Sequence, residues 1–444
     1  MINRWLFTHI DNSSLIIFRV FFGFLIAAEA IGAIFTGWVT RTLVEPNFTF
    51  NFIGLDFLQP LPGNGMYFYF AVMGIFGLLV MVGFRYRMSM IAYTVMWAGV
   101  YFMQKASYNN HYYLLLLLCI IMSVLPAGNY FSVDVKLKPH IKKISMPRWV
   151  VLFIIAQLWI VYTYASVAKF YPDWLDFTVA KNLMAARANY PIVGGLLQGH
   201  WAHVSVAYFG ILFDLLIVPL LLWKRTRLTA FFISIFFHLF NSIVFQIGIF
   251  PYMSLAFTVF FFSKETIHRI FMKKKEFYSD GEVIVPNYKK VLIPITIVWF
   301  VLQISLPLRH WFIPGDVLWT EEGHRLSWRM MLRGRSGITN FYIVDKNDTK
   351  ANRTYIDKRE YLSKKQLRLV SSKPDAMWQF AQHLKKDFAS KGKDISVYVK
   401  SDMSINGKKR KSFIDPEVDL ASVPWNYFTT NPWIIKYNTE RNLE

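Results

Sequence analysis

The sequence predicts a multi-pass α-helical membrane protein of about nine spans carrying a C-terminal, β-rich α+β domain outside the membrane. Three observations predict it. The 444 residues are 54% hydrophobic and 18% aromatic but only 17% charged, against roughly 25% charged in soluble domains. Apolar runs recur from Leu15 to Leu308, each near the ~20 residues that cross a bilayer core of ~30 Å. Beyond Pro314 the pattern changes to short alternating stretches. With a mean hydropathy of +0.31, the low charge rules out a disordered chain and argues strongly against an ordinary soluble enzyme. The one cysteine, Cys119, lies inside an apolar run, which excludes a disulfide scaffold and a Cys-rich metal site.

The runs are nine: Leu15 to Gly37, Met66 to Phe84, Met88 to Met103, Tyr108 to Leu125, Val150 to Ala168, His203 to Trp223, Leu228 to Ile247, Ile249 to Phe262 and Val291 to Leu308. Runs three and eight are short. No small-residue cleavage site follows the first, which therefore reads as a retained anchor. The loops after runs two, four, six and eight hold 17 basic residues, among them Arg85, Lys142, Arg225 and Lys274; the opposite loops hold five, Arg41, Lys105, Lys169, Lys181 and Arg187. The positive-inside rule then places the N-terminus inside and the C-terminus outside. It also accounts for much of the formal net charge of +21, so no nucleic-acid partner is expected.

The domain boundary is expected at 313/314. After it, Ser327 to Leu332, Thr339 to Val344 and Ile395 to Lys400 read as strands. Ser363 to Ser390 reads as helical, with Leu369, Met377, Phe380 and Leu384 on one face and a break at Pro374.

An ionisable group at membrane depth costs several kcal/mol unless paired or wet, so each polar residue in a run needs a reason. Tyr108, His111, Tyr112 and Leu115 share one face of the fourth run; they are either an interfacial aromatic belt with one satisfied histidine or a ligand-binding face. Tyr162, Ser166 and Lys169 share a face at the end of the fifth. Lys169 either snorkels to the interface, pairing with Asp173, or is a desolvated lysine held neutral as a base. Topology puts Lys169 and His111 at the same depth. Ser234, His238, Asn241 and Phe245 form a stripe in the seventh run, either interhelical hydrogen-bond glue or a cavity wall. Arg19, Glu29 and Asp214 are expected to form structural pairs between helices, away from any reaction centre.

No phosphate loop, His-x-x-Glu-His pair or nucleophile elbow is present, and no metal is expected. Asn109-Asn110-His111, followed by Ala168-Lys169-Phe170-Tyr171-Pro172-Asp173-Trp174, resembles the vitamin K-dependent γ-glutamyl carboxylase family, within the wider HTTM group. The likeness extends through Phe18-Arg19-Val20-Phe21-Phe22-Gly23, Leu58-Gln59-Pro60-Leu61-Pro62, His238-Leu239-Phe240-Asn241-Ser242, Ser327-Trp328-Arg329-Met330-Met331, Arg335-Ser336 and Phe413-Ile414-Asp415-Pro416-Glu417-Val418-Asp419.

The resemblance implies oxidation of vitamin K hydroquinone by O2 to a strong base that removes a γ-proton from a peptide glutamate. CO2 then adds to the carbanion and the quinone leaves as its epoxide. It implies Lys169 as the base acting on the hydroquinone, His111 as the group stabilising or relaying protons at the glutamyl carbanion, and Asn110 as a hydrogen-bond partner of the quinone oxygen. His238, Asn241 and His310 match positions near the cavity. Ser327, Trp328, Met330, Met331 and Arg335 match the segment that presents the substrate glutamate, with Arg335 a possible carboxylate clamp. A quinone head entering from lipid would sit among Tyr108, Tyr112, His111 and Lys169, and a peptide would arrive from outside. Departures from the family pattern are a single lysine at Lys169, where animal members have a pair, and Gly323-His324-Arg325-Leu326 in place of their tyrosine-rich stretch. These resemble the bacterial members, which implies the bacterial cytoplasmic membrane. Rival readings are a quinol epoxidase without glutamate carboxylation, a non-catalytic quinone- or peptide-binding protein, and a transporter. No inverted repeat supports the last.

Overall fold

The computed structural model describes residues 2–191, 193–348 and 352–437. A helix covers each apolar run: α1 Ser13–Phe35, α2 Gly65–Val82, α3 Tyr86–Met103, α4 Asn110–Val124, α5 Trp149–Val167, α6 His200–Leu222, α7 Arg227–Phe240, α8 Phe250–Phe257 and α9 Lys289–Leu308. Six of the helices among the described residues are long and apolar enough to cross a membrane; Asn110–Val124 and Phe250–Phe260 are shorter apolar helices. Between α7 and α8 a π turn, Asn241–Phe245, ends at Gln246 with φ +53°.

Helices α1 and α2 meet through small residues. A Cβ on Gly23 would lie 2.4 Å from the Met81 backbone nitrogen, and one on Gly77 2.7 Å from that of Ala27, so only glycine permits the approach. Arg19 forms no ion pair among the described residues, contrary to the expectation. Its buried guanidinium donates to the carbonyls of Ala127 (3.0 Å), Tyr130 (3.1 Å) and Phe131 (2.6 Å), fixing the loop after α4. Glu29 accepts from the Tyr112 hydroxyl at 2.7 Å. At the α9 flank, Gln303 links Gln157 (3.3 Å) to Tyr113 (3.4 Å), a buried polar chain across α4, α5 and α9.

A two-stranded ladder, β1 His9–Asp11 with β2 Ser145–Pro147, closes one end of the helical body. There the buried Asp11 carboxylate pairs with Lys275 and accepts the Tyr278 amide at 3.0 Å. The opposite end carries the C-terminal domain, whose antiparallel sheet has the order β4 (Thr354–Ile356), β3 (Arg335–Asp345), β5 (Ile395–Ile405), β6 (Lys411–Ser412). Arg335 pairs with Ile405 and Asp345 with Ile395 at the two ends of the central ladder. Alternation on β3 buries Phe341 and Ile343 beneath two helices, α10 Lys364–Val370 and α11 Pro374–Ser390. Pro374 is the first residue of α11, which is why the single helical pattern divides there.

The strand expected over Ser327–Leu332 does not form. Leu326, Trp328 and Met331 all have positive φ, between +52° and +59°, a conformation that cannot maintain a pleat and costs about 1–3 kcal/mol per non-glycine residue. The domain docks on loops of the helical body: Gln366 donates to the Phe48 carbonyl (2.7 Å), Gln379 to that of Asn51 (3.0 Å), and Asn406 to Asp173 (2.8 Å).

Candidate functional site

Helix α5 ends as Ala165-Ser166-Val167, and the Lys169 side chain folds back over that end. Its Nζ donates to the Ala165 carbonyl at 3.0 Å and pairs with the Asp214 carboxylate on α6. Both side chains are buried, at 8% and 10% exposure. A cation suits a helix C-terminus, where carbonyls lack helical partners. The Trp174 ring lies 5.6 Å from Nζ, and the Ser166 hydroxyl ties α5 to α6 by donating to the Ile211 carbonyl at 3.0 Å. The expected Asp173 pairing is therefore corrected, since Asp173 accepts from Asn406 and Lys408, whereas Asp214 forms the interhelical pair expected of it, with Lys169 as its partner. Asp214 is the only acid in its run. An unpaired carboxylate at that depth required a cation, which is the signal that could have found the pair.

From Lys169 a polar line continues inward along one face of α5. The Tyr162 hydroxyl lies 3.2 Å from His238 Nε2. His238 is fully buried, with Phe213 at 5.6 Å and Phe250 at 5.9 Å, and its Nδ1 has no hydrogen-bond partner among the described residues. His111 stacks on the same Phe250 ring at 4.3 Å. Asn241 is buried at the end of α7. Phe250, common to both imidazoles, belongs with His238 and Asn241 to the stretch that carries the family resemblance, but its contact with His111 had no signal in the sequence.

The other expected site residues gather elsewhere. Tyr112 is committed to Glu29. The Tyr108 hydroxyl donates to Asn110 Oδ1 (3.0 Å) and accepts the Leu326 amide (2.7 Å), while Asn110 Nδ2 donates to the Arg329 carbonyl (3.0 Å). These residues hold the irregular segment 323–332 against the helical body. In it Trp328 stacks on Tyr113 at 4.8 Å, Ser327 donates to the Gly323 carbonyl at 2.7 Å, Met330 packs on the helical core and Met331 is half-buried. Gly323, with φ +75°, faces His310 so closely that a Cβ would lie 2.8 Å from the histidine's own.

Charged side chains crowd beside this segment. Asp375 takes Lys105 at 2.5 Å and also Arg325. Glu321 takes Arg333, Lys373 at 2.7 Å and Arg335 at 3.4 Å. Arg335 is held by its Nε and Nη1, which donate to the carbonyls of Ser372 (3.0 Å), Leu318 and Trp319 (2.7 Å), while its Nη2 is buried without a hydrogen-bond partner among the described residues. Burial would raise the Asp375 carboxyl, but Arg325 and Lys105 outweigh it and hold the group below the usual carboxylate range. Burial lowers Lys105 to about 8 and both Arg333 and Arg335 to about 9.

A cavity of about 1080 Å³ opens between the end of α5, the end of α9 and the C-terminal sheet. Ala168, Tyr171, His310, Ser327, Arg329 and Lys408 are among its walls, with exposed Phe170 and Trp311 at its edge. Lys169, His111 and His238 are not among its lining residues, although Ala168, the neighbour of Lys169, is.

The HTTM domain profile matches residues 7–265, more than half of the chain, and the profile described as vitamin K-dependent gamma-carboxylase, lumenal domain, matches residues 288–440. The second match takes in α9 together with the C-terminal domain. No solved structure matches the chain.

Proposed function

The chain belongs to the vitamin K-dependent γ-glutamyl carboxylase family, and from that premise we propose that it carboxylates peptide glutamate at the γ-carbon, with epoxidation of a reduced vitamin K quinone. When bound, the hydroquinone supplies, with O2, the base strength needed to remove a γ-proton, after which CO2 adds. The observation that carries the reading is the buried Lys169–Asp214 pair continued by Tyr162, His238 and His111.

The residues present fit such a ligand. His238 Nδ1 is buried without a partner among the described residues, and Phe250 stacks on His111 and meets His238 edge-on; a flat ring bearing oxygens would suit both features. Tyr162, His238 and His111 would hold it. Lys169 Nζ would take a hydroxyl proton once it has passed its own to Asp214 Oδ2. That transfer converts an ion pair to a neutral pair, so no net charge arises in the apolar interior. Tyr162, hydrogen-bonded to His238, extends the proton path toward His111. Asn110 acts as a positioning residue, through its bond to the Arg329 carbonyl.

In this reading all nine apolar helices cross the membrane, the N-terminus is inside and the C-terminal domain caps the cavity outside. The membrane is the bacterial cytoplasmic membrane, and the peptide partner comes from outside while the quinone comes from lipid.

The test uses the purified full chain in detergent with reduced vitamin K, O2, labelled hydrogencarbonate and a glutamyl peptide, and Lys169→Ala as control. Epoxide and peptide-bound label, both lost in a folded Lys169→Ala, are expected. Normal turnover in the mutant would sink the base assignment, and epoxide without label would replace carboxylation by uncoupled quinol oxygenation.

A further inference from the structure

The charge beside the segment 323–335 does not balance. Lys105, Arg309, Arg325, Arg329, Arg333, Arg335 and Lys373 gather there, largely withdrawn from water. The carboxylates facing them are Asp316, Glu321 and Asp375, with Asp56 in the field of Lys105. A cationic excess held out of water favours an anionic ligand. Of these cations only Arg329 is among the residues lining the 1080 Å³ cavity.

The surroundings of Arg329 keep its charge available. His310 Nδ1 lies 2.7 Å from the Pro307 carbonyl, which can only accept, so Nδ1 carries the proton and Nε2 offers a lone pair. Arg329 Nη1 lies 3.3 Å from that Nε2. The guanidinium is thus steadied by a neutral ring, and its Nε has no partner among the described residues. Asp316, whose charge acts on Arg329, also caps the Leu318 amide at 2.8 Å and shares its field with Arg333 and Arg335. The remaining lining acids are Asp173, taken by Lys408 and Asn406, and Asp176, which caps the Thr178 amide. Lys408 and Lys436 add cations to the lining.

We propose that Arg329 is the carboxylate receptor of this cavity, engaging the γ-carboxylate of the acceptor glutamate through its planar fork of donors. The proposal rests on the carboxylase reading for the identity of the substrate. It places the anchor on a segment whose backbone is fixed by Asn110 and in a cavity whose wall includes Ala168, the neighbour of Lys169. Arg335, which carries the family likeness, instead supports the segment from behind.

The experiment is equilibrium binding of a fluorescent glutamyl peptide and its glutaminyl counterpart to the purified full chain in detergent, without quinol. The wild type should prefer the glutamyl peptide, and Arg329→Gln should reduce that preference roughly tenfold or more, as expected for a charge-assisted pair. Arg329→Lys, which keeps the charge but loses the fork, should retain only part of it. Thermal midpoints verify that each variant is folded. Unchanged preference in either folded variant overturns the proposal. Displacement of the glutamyl peptide by hydrogencarbonate, lost in Arg329→Gln, would overturn it in favour of the inorganic anion. Because no turnover is needed, Arg329-dependent binding without carboxylation would sink the carboxylase reading alone.

Discussion

Two regions of this molecule bury charge, and they do so by opposite arithmetic. Inside the helical body Lys169 meets one carboxylate, Asp214, with a carbonyl and an indole face completing its surroundings. Beneath the C-terminal domain, Asp375 serves Lys105 and Arg325, and Glu321 serves Arg333, Arg335 and Lys373. Withdrawing an ion from water costs several kcal/mol, which a single good partner can offset. The balanced pair needs nothing further and can move a proton without creating net charge. The unbalanced cluster is completed by an anion from outside the chain. The first arrangement suits a proton relay; the second suits recognition.

The balanced pair gives the largest expected effect. Asp214→Asn leaves the Lys169 ammonium buried without its counter-ion and should cost about 3–5 kcal/mol, read as a lowered thermal midpoint in detergent. Lys169→Met combined with Asp214→Leu removes both charges and should recover most of that stability while forming no epoxide. An Asp214→Asn protein as stable as the wild type would show that the pair does not hold α5 to α6, and the comparison would lose its first term.

The cluster can be sharpened through His324. Burial, then the fields of Lys373, Arg329, Arg325 and Arg335, hold its imidazole well below the ordinary 6.5, and Arg333 Nη1 lies 3.3 Å from its ring nitrogens. The folded chain therefore keeps His324 neutral where the unfolded chain protonates it. Stability from this group is full above pH about 6.5 and declines as pH falls, by at most ~1.4 kcal/mol per pH unit. His324→Gln should flatten the acid side of the midpoint-against-pH curve relative to the wild type. An unaltered curve would mean that the cluster's field does not reach this ring.

The difference between the regions also explains what the sequence disclosed. Apolar runs are legible because burial in lipid fixes a composition over some twenty consecutive residues, and a helix covers each of the nine. The C-terminal sheet was legible where β3 and β5 alternate, and unreadable at Ser327–Leu332. There the conformation follows from tertiary contacts, the Tyr108 hydroxyl on the Leu326 amide and Tyr113 under Trp328. Lys169 could be singled out because it continues the face of Tyr162 and Ser166 at the end of the fifth run, but its partner lies 45 residues away, and spacing within one helix cannot choose between Asp173 and Asp214. Arg335 and Arg329 lie six residues apart in a basic stretch. Only the fold reveals that one faces backbone carbonyls and the other the cavity.

A third kind of charge pair tests whether burial, rather than proximity, is what separates these regions. Arg353 and Glu417 approach to 2.9 Å, closer than the buried Arg335–Glu321 contact at 3.4 Å, yet their side chains are 44% and 73% exposed. Water and salt screen such a pair, and ordering two long side chains opposes it, so the coupling should be below about 0.5 kcal/mol. Arg353 also lies 4.7 Å over the Tyr398 ring, so a single Arg353→Gln change would mix two losses. A double-mutant cycle with Glu417→Gln cancels the ring contact and isolates the pair. The expected coupling should fall further at about 0.5 M salt, where the screening length is only a few ångströms. A salt-insensitive coupling above about 1.5 kcal/mol would mean that proximity alone suffices on this domain. The stability loss expected for Asp214→Asn could then no longer be attributed to the dryness of its site.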